Sequence, residues 1–280
     1  MDYRDVCLIG GDRRISYMAP ILSREGCRVL RFDAPTPGVK FQEALGGAGT
    51  IICGIPFEKN GKIFCEKETS VSVAEFQRLL RKRQMLFGGL FPNHFLRHCE
   101  ERSIECHDFM KDEALTLFNA VATAEGAILE ALSNRETLLH QSNCLVLGFG
   151  RCGSLIAQRL WGLHASVTVE VRDPAELAMA MARGHQTLPL PELPESIARF
   201  DYVFNTIPAC YLGDKCLPQV RQDCLIIDVA SGRTGVDYEL AGNLSLHALF
   251  CPGLPGKYAA KSCAERLVKY VLQIIGSKSS

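Results

Sequence analysis

The chain has 280 residues, enough for two domains of ordinary size and more than one buried core. Apolar residues make up 47% and charged residues 22%, the balance expected of a soluble globular protein. The formal net charge is zero, so there is no electrostatic reason to expect nucleic acid or an anionic membrane surface as a partner.

The opening MDYRDVCLIGGDRR has acids early and too short an apolar stretch for a secretory leader, which predicts a cytoplasmic protein. DVCLIG (5–10) reads as a strand running into a Gly10-Gly11 turn. Ile15, Met18, Ala19 and Leu22 follow at helical spacing. CRVLRFD (27–33) and TIICGI (50–55) are the next strands, and the lysine-rich 57–71 stretch, without a clear period, reads as a loop. MLFGGL (85–90) and ECHDF (105–109) complete this strand set. Strands alternating with helical segments predict βαβ units and a mainly parallel sheet.

A long run of helix formers, 113–132, then connects to a second α/β region. There NCLVLGFGRCG (143–153) reads as strand, tight turn and helix start, and SVTVEVR (166–172) as the next strand. A helix is predicted over 175–183, strands over 201–207, 224–230 and 245–251, and a closing amphipathic helix over 259–276. No apolar run is read as reaching the ~18–20 residues that span a bilayer. The predicted fold is α/β, with two Rossmann-like domains and mainly parallel sheets. One is a flavodoxin/Rossmann-like substrate-side domain over 1–118, joined by the helix 259–276. The other is a dinucleotide-binding Rossmann domain over 119–258.

GFGRCG (148–153) fits G-x-G-x-x-G between an apolar strand and an amphipathic helix. Gly148 permits the tight turn, Gly150 lets the backbone approach a pyrophosphate, and Gly153 allows close helix–strand packing. With Arg151 and Cys152 they form the predicted cofactor loop at the positive end of a helix dipole. Arg172 lies 24 residues beyond Gly148, near the end of the second strand. A guanidinium there suits a 2′-phosphate, so NADP is expected ahead of NAD, although Asp173 next door would favour NAD under a shift of one residue. Asn205 and Thr206, ending a strand, are expected to face the nicotinamide or its ribose.

The 13 cysteines are odd in number and without CxxC spacing; Cys7, Cys53, Cys144 and Cys224 fall in apparent strands and are read as buried, reduced thiols. His94 and His98 at i, i+4, with Cys99, Cys106 and His107 beyond, lack any regular metal-ligand pattern, and no metal is expected. His247 sits among alternating apolar residues, unlike the general acid–base of a 2-hydroxyacid dehydrogenase.

Five segments in order carry a more specific likeness: GGDRR (10–14), TAEG (123–126), NTIPA (205–209), IDVAS (227–231) and PGLPGK (252–257) followed by AAKS (259–262). Together with the glycine loop they resemble the A subunit of bacterial dipicolinate synthase over nearly the whole chain. The resemblance implies a two-domain fold like that of D-2-hydroxyacid dehydrogenases. It also implies NADP-dependent oxidation of dihydrodipicolinate to dipicolinate during spore formation, in the cytoplasm of the mother cell. The partner it implies is a flavoprotein-like B subunit. A homo-oligomer stays open.

The presumed dicarboxylate needs cationic or N–H partners. Arg14, Thr123 and Lys257 are the substrate-binding candidates, with Lys261 and Ser231 beside the reacting centre and Glu125 as base or anchor. The PGLPG segment is read as a rigid turn with exposed N–H groups. The chain departs from the family pattern at Ala122 (PTAEG), at 232–235 (ASxPGG) and at 259–264 (APKTAG). Two alternatives follow: a dehydrogenase of another small carboxylate, or a catalytically silent, nucleotide-responsive binding protein.

Overall fold

The computed structural model describes residues 2–36, 38–67 and 69–278. The chain divides into two compact units, Met1–Phe118 with Ala259–Ser280, and Asn119–Tyr258.

The first unit contains β1 (Asp5–Ile9), α1 (Arg13–Arg24), β2 (Arg28–Phe32), α2 (Val39–Gly47), β3 (Thr50–Cys53), β4 (Glu58–Lys59), β5 (Lys62–Ile63), α3 (Val73–Leu79), β6 (Met85–Gly88), α4 (Asn93–Glu101) and β7 (Glu105–Asp108). Its five-stranded sheet has the order β2-β1-β3-β6-β7, every neighbouring pair parallel. This is the flavodoxin-like winding. Successive residues of β1 serve opposite faces: Cys7 and Ile9 pack with Phe41, Phe76 and Phe95, whereas Val6 and Leu8 pack with Met18, Leu22 and Val271. A parallel sheet covered on both sides needs such unbroken apolar strands.

The loop expected over 57–71 contains the antiparallel β4–β5 ribbon. Its strands are two residues each, too short to show a period in the sequence. Helices α2 and α3 were likewise not foreseen, because they are short and α2 has only Phe41, Leu45 and Gly46 buried.

Helix α5 (Glu113–Ser133) carries the chain from one unit into the other. It corrects one expectation. By length and composition alone it is apolar enough to cross a membrane, and half of the qualifying window is buried inside the protein. The buried side is built of small residues, Ala124, Ala127 and Ala131, packed with Leu254 and Ile156 in the core of the second unit. Close helix packing explains this composition without a bilayer.

The second unit contains β8 (Asn143–Leu147), α6 (Arg151–Gly162), β9 (Ser166–Glu170), α7 (Pro174–Ala182), β10 (Gln186–Leu188), α8 (Leu193–Ser196), β11 (Tyr202–Asn205), β12 (Leu225–Asp228), α9 (Tyr238–Asn243), β13 (His247–Phe250) and α10 (Leu254–Tyr258). Six parallel strands run in the order β10-β9-β8-β11-β12-β13. That is the doubly wound Rossmann order, whose reversal between β8 and β11 opens a crevice at the strands' carboxyl ends. In β8, Cys144 and Val146 face one core and Leu145 and Leu147 the other. Helix α11 (Ala260–Lys278) then returns to the first unit, burying Ala264, Val268, Val271 and Ile275 against the α1 face of its sheet. All thirteen cysteines are thiols, and Cys7, Cys53, Cys144 and Cys224 are buried.

Candidate functional site

The crevice of the second unit is built around the glycine turn. Gly148 leaves β8 with φ +86, a conformation only glycine adopts without strain, and a Cβ there would stand 2.7 Å from Thr206 Oγ1. Gly153 lies so close beneath the turn that a Cβ would come 2.0 Å from the Gly148 carbonyl oxygen. A Cβ on Gly150 would meet nothing within 4 Å. Gly150 is also the N-cap of α6, which carries no side-chain cap, and first-turn amides have no intrahelical acceptor. Two glycines therefore make the turn and its packing, and the third leaves open space before a helix start. These are the requirements of a bound pyrophosphate.

Thr206 closes the adjoining wall, its hydroxyl donating to the Leu147 carbonyl at 2.8 Å. Cys152 is half-buried in the first turn of α6, where the Thr123 hydroxyl acts on its thiol. Thr123 itself is buried and donates to the Asn119 carbonyl at 2.9 Å. It braces α5 against the loop.

At the end of the second strand, Arg172 is 57% exposed. Its Nη1 donates to the Tyr211 hydroxyl at 2.9 Å, and the guanidinium lies 5.4 Å from the Tyr211 ring centre. Asp173 instead caps α7, accepting from the Ala175 and Glu176 amides. Asp173 Oδ1 is thus engaged at the helix start, and Arg172 is an outward guanidinium beside it. Beside Arg172 is a residue that pattern reading passed over. Glu170 is 1% exposed, and neither of its carboxylate oxygens has a hydrogen-bond partner among the described residues.

Burial pushes the Glu170 carboxyl above its ordinary range, opposed by Arg172 and the Gly148 N–H and aided by Glu176. A carboxyl whose folded value is raised holds its proton longer folded than unfolded. Stability should therefore fall as pH rises from the ordinary glutamate value through the raised one. Glu170→Gln is expected to flatten this slope in urea unfolding followed from about pH 4 to 8. Parallel wild-type and variant profiles would mean that the carboxylate is solvated.

Asn205 departs from expectation. It is fully buried; its Nδ2 donates to the Ile207 carbonyl at 3.0 Å and to Asp228 Oδ1 at 2.9 Å, and its Oδ1 accepts from the Ile207 amide. With these bonds made, it shapes the loop after β11 and presents no amide to a ligand. The hub it serves was invisible in the sequence. Asp228, also fully buried, accepts from Asn205, from the Ala230 amide at 3.1 Å and from the Tyr238 hydroxyl at 2.7 Å. Gly235 packs onto this hub, where a Cβ would come 2.1 Å from Asn205 Nδ2. Ser231, by contrast, is exposed on the following turn.

The PGLPG segment also differs from its reading as a turn with exposed amides. Leu254, Pro255 and Gly256 are buried in the helical turn α10, because Leu254 inserts against Gly126 and the core around α5. Lys257 Nζ meets Glu130 Oε1 at 2.6 Å, and the Tyr258 hydroxyl donates to the same oxygen at 2.8 Å. Burial works against ionising Glu130, but the bonds from Lys257 and Tyr258 outweigh it and hold its carboxyl below the ordinary range. Glu125 is 64% exposed on α5, 3.4 Å from Arg159.

In the first unit, Arg14 departs from its assignment to substrate. The Arg14 side chain is 6% exposed; its guanidinium pairs with Asp12 at 2.6 Å and donates to the Ile55 carbonyl at 2.9 Å. It ties the start of α1 to the end of β3. Lys261 is exposed in the first turn of α11. His247 is exposed at the amino end of β13, the wrong end for a catalytic group of this sheet. Among the described residues no three His, Cys, Asp or Glu side chains gather as metal ligands.

The doubly wound sheets and the glycine turn define a two-unit α/β protein of the dehydrogenase fold, with a dinucleotide-type loop in its second unit. Solved structures agree on the fold. The dipicolinate synthase A subunit from Bacillus halodurans superposes with a TM-score of 0.85 at 23% identity, covering 96% of this chain and 97% of that one. Salmonella D-lactate dehydrogenase does so with a TM-score of 0.70 at 14% identity, covering 96% of each chain. Residues 5–110 match the family model for the N-terminal domain of the dipicolinate synthase A subunit. The dipicolinate synthase A subunit of Bacillus subtilis (strain 168) is 33% identical over 167 residues, which cover 60% of this chain and 56% of that protein. The chain is therefore similar in sequence to dipicolinate synthase A subunits over its N-terminal domain, and similar to them in fold throughout; it spans about half the length of the curated relative that it matches.

Proposed function

We propose that the chain is an NADP-dependent oxidoreductase that oxidises dihydrodipicolinate to dipicolinate in the cytoplasm of the mother cell of a sporulating bacterium, beside a flavoprotein-like B subunit. The observation that carries this reading is the turn at 148–153, open only over Gly150 and followed on the next strand by an outward Arg172. The family likeness supplies the substrate.

When bound, NADP⁺ would supply the hydride acceptor. The chain's part is to hold, orient and deprotonate. The α6 start and Arg151 would hold the pyrophosphate, and Arg172 would hold the 2′-phosphate. Lys257 is the cation assigned to a carboxylate of the substrate, with Ser231 and Thr123 as the hydroxyls assigned to it. Glu130 fixes the Lys257 ammonium in place. Glu125 is assigned the proton lost when the ring becomes aromatic. One C–H leaves as hydride and one proton passes to the base. Because aromaticity favours the product, alignment of donor and acceptor is the main demand on the protein.

The test uses the purified chain, alone and with the B subunit. NADPH should bind, and dihydrodipicolinate with NADP⁺ should give dipicolinate and NADPH in equal amounts, followed by ultraviolet absorbance. Arg172→Gln should weaken NADPH by about tenfold or more while leaving NADH nearly unchanged, the cost of a charged phosphate contact. Neither binding nor product under either condition would end this reading. Binding without turnover would leave the nucleotide-responsive binding protein.

A further inference from the structure

The lysine-rich 57–71 stretch of the first unit has no part in the reading above. Its ribbon, β4 and β5, turns at Asn60 and Gly61, whose φ values of 55 and 74 suit a type I′ hairpin turn. The turn sets Lys59 directly opposite Lys62, and like charges so paired are destabilising. Both lysines and Lys67 are exposed, and among the described residues none of the three has an ion-pair partner. The ribbon is nevertheless anchored. Ile63 is buried in one core with Phe57, the Gly11 amide donates to the Phe64 carbonyl at 2.7 Å, and the Glu66 amide donates to the Gly11 carbonyl at 3.0 Å. It therefore lies over the carboxyl end of β1, where the order β2-β1-β3 reverses, the usual place of a ligand in an open α/β sheet. Here a cavity of about 360 Å³ opens, lined by the three lysines, Asn60, Phe64 and Thr69 among others. Among the described residues no Asp or Glu lines it. Its size falls within the roughly 300–1,000 Å³ of small-molecule sites.

We propose that this cavity is a binding site for a small ring dicarboxylate, with Lys59, Lys62 and Lys67 meeting its two negative charges and Phe64 supplying an apolar wall. The identity of the ring rests on the reading that the chain handles dipicolinate; the place of the site does not. Three ammonium groups would suit inorganic phosphate equally well, but Phe64 and Ile63 favour a ligand with a carbon skeleton. A bound dianion relieves the repulsion between Lys59 and Lys62, which gives the paired charges a reason. Ammonium groups are point charges without a fixed fork, so the number of charges governs affinity, and salt weakens it. All of the lining residues belong to the first unit, so the ligand binds without a nucleotide.

The experiment is isothermal titration of the full chain with dipicolinate, in metal-free buffer of low ionic strength and without nucleotide. The wild type should bind with a Kd below about 1 mM. Lys59→Gln combined with Lys62→Gln should weaken binding by about tenfold or more and Lys67→Gln by about threefold or more, whereas Lys59→Arg combined with Lys62→Arg should stay within about threefold of the wild type. Inorganic phosphate, and picolinate with its single carboxylate, should each bind about tenfold or more weakly than dipicolinate. NADPH affinity should be unchanged in every ribbon variant, and Lys257→Gln should leave nucleotide-free dipicolinate binding intact. The glutamine variants remove exposed, unpaired charges, so their urea midpoints should hold or rise. No binding by the wild type, ribbon variants that bind like the wild type, loss in Lys257→Gln instead, or phosphate as tight as dipicolinate would overturn the site. A chain that binds dipicolinate at the ribbon but never NADPH would keep this site and end the oxidoreductase reading; turnover with NADP⁺ in ribbon variants that match the wild type would do the reverse.

Discussion

Asp228→Ala is expected to destabilise the second unit by about 3 kcal/mol, measured by urea unfolding of the full chain. The carboxylate is fully buried and accepts three hydrogen bonds, from Asn205, Ala230 and Tyr238. Each bond to a charged acceptor contributes roughly 1.5–3 kcal/mol. Relief of the buried charge offsets part of the loss. After the substitution the Ala230 amide and Tyr238 hydroxyl lose their acceptor, whereas Asn205 keeps its bond to Ile207. Tyr238→Phe removes one bond only and should cost about 1 kcal/mol. The hub ties the loop after β11 to the loop after β12, so nucleotide affinity should fall with stability in Asp228→Ala. A loss below about 0.5 kcal/mol would show that the carboxylate does not hold these loops.

Gly150→Asp should separate binding from folding. The Gly150 backbone, at φ −67 and ψ −161, is open to any residue, and its Cβ direction is empty. Aspartate is a better N-cap than glycine, so the melting temperature should hold or rise slightly. The same carboxylate would occupy the space before the α6 amides and repel a pyrophosphate. NADPH affinity should fall at least ~100-fold, about 2.7 kcal/mol. Gly153→Ala should instead harm both properties, because its Cβ would collide with the Gly148 carbonyl oxygen at 2.0 Å. Wild-type NADPH affinity in Gly150→Asp would place the pyrophosphate elsewhere than the start of α6.

These two predictions differ in how they could be found. Gly148, Gly150 and Gly153 are legible because their roles are local: a turn, an approach and a packing contact all act within six residues between a strand and a helix. Asp228 looked like an ordinary strand end. Its importance comes from Asn205 and Tyr238, 23 and 10 residues away in the chain. Glu170 was passed over because an acid in SVTVEVR reads as a solvent-facing position of an alternating strand. A central parallel strand has no solvent face, and that is a property of the sheet.

Local pattern alone therefore determined the α/β class, the long strands and helices and the glycine turn, because apolar period and glycine spacing act through neighbours in the chain. Tertiary structure decided which polar side chains were left for a ligand. Asn205 and Arg14 were withdrawn by internal hydrogen bonds, Lys257 was tied to Glu130, and Glu170 was buried without a donor. Burial and pairing depend on what distant segments bring to the same place, and no window of sequence contains that.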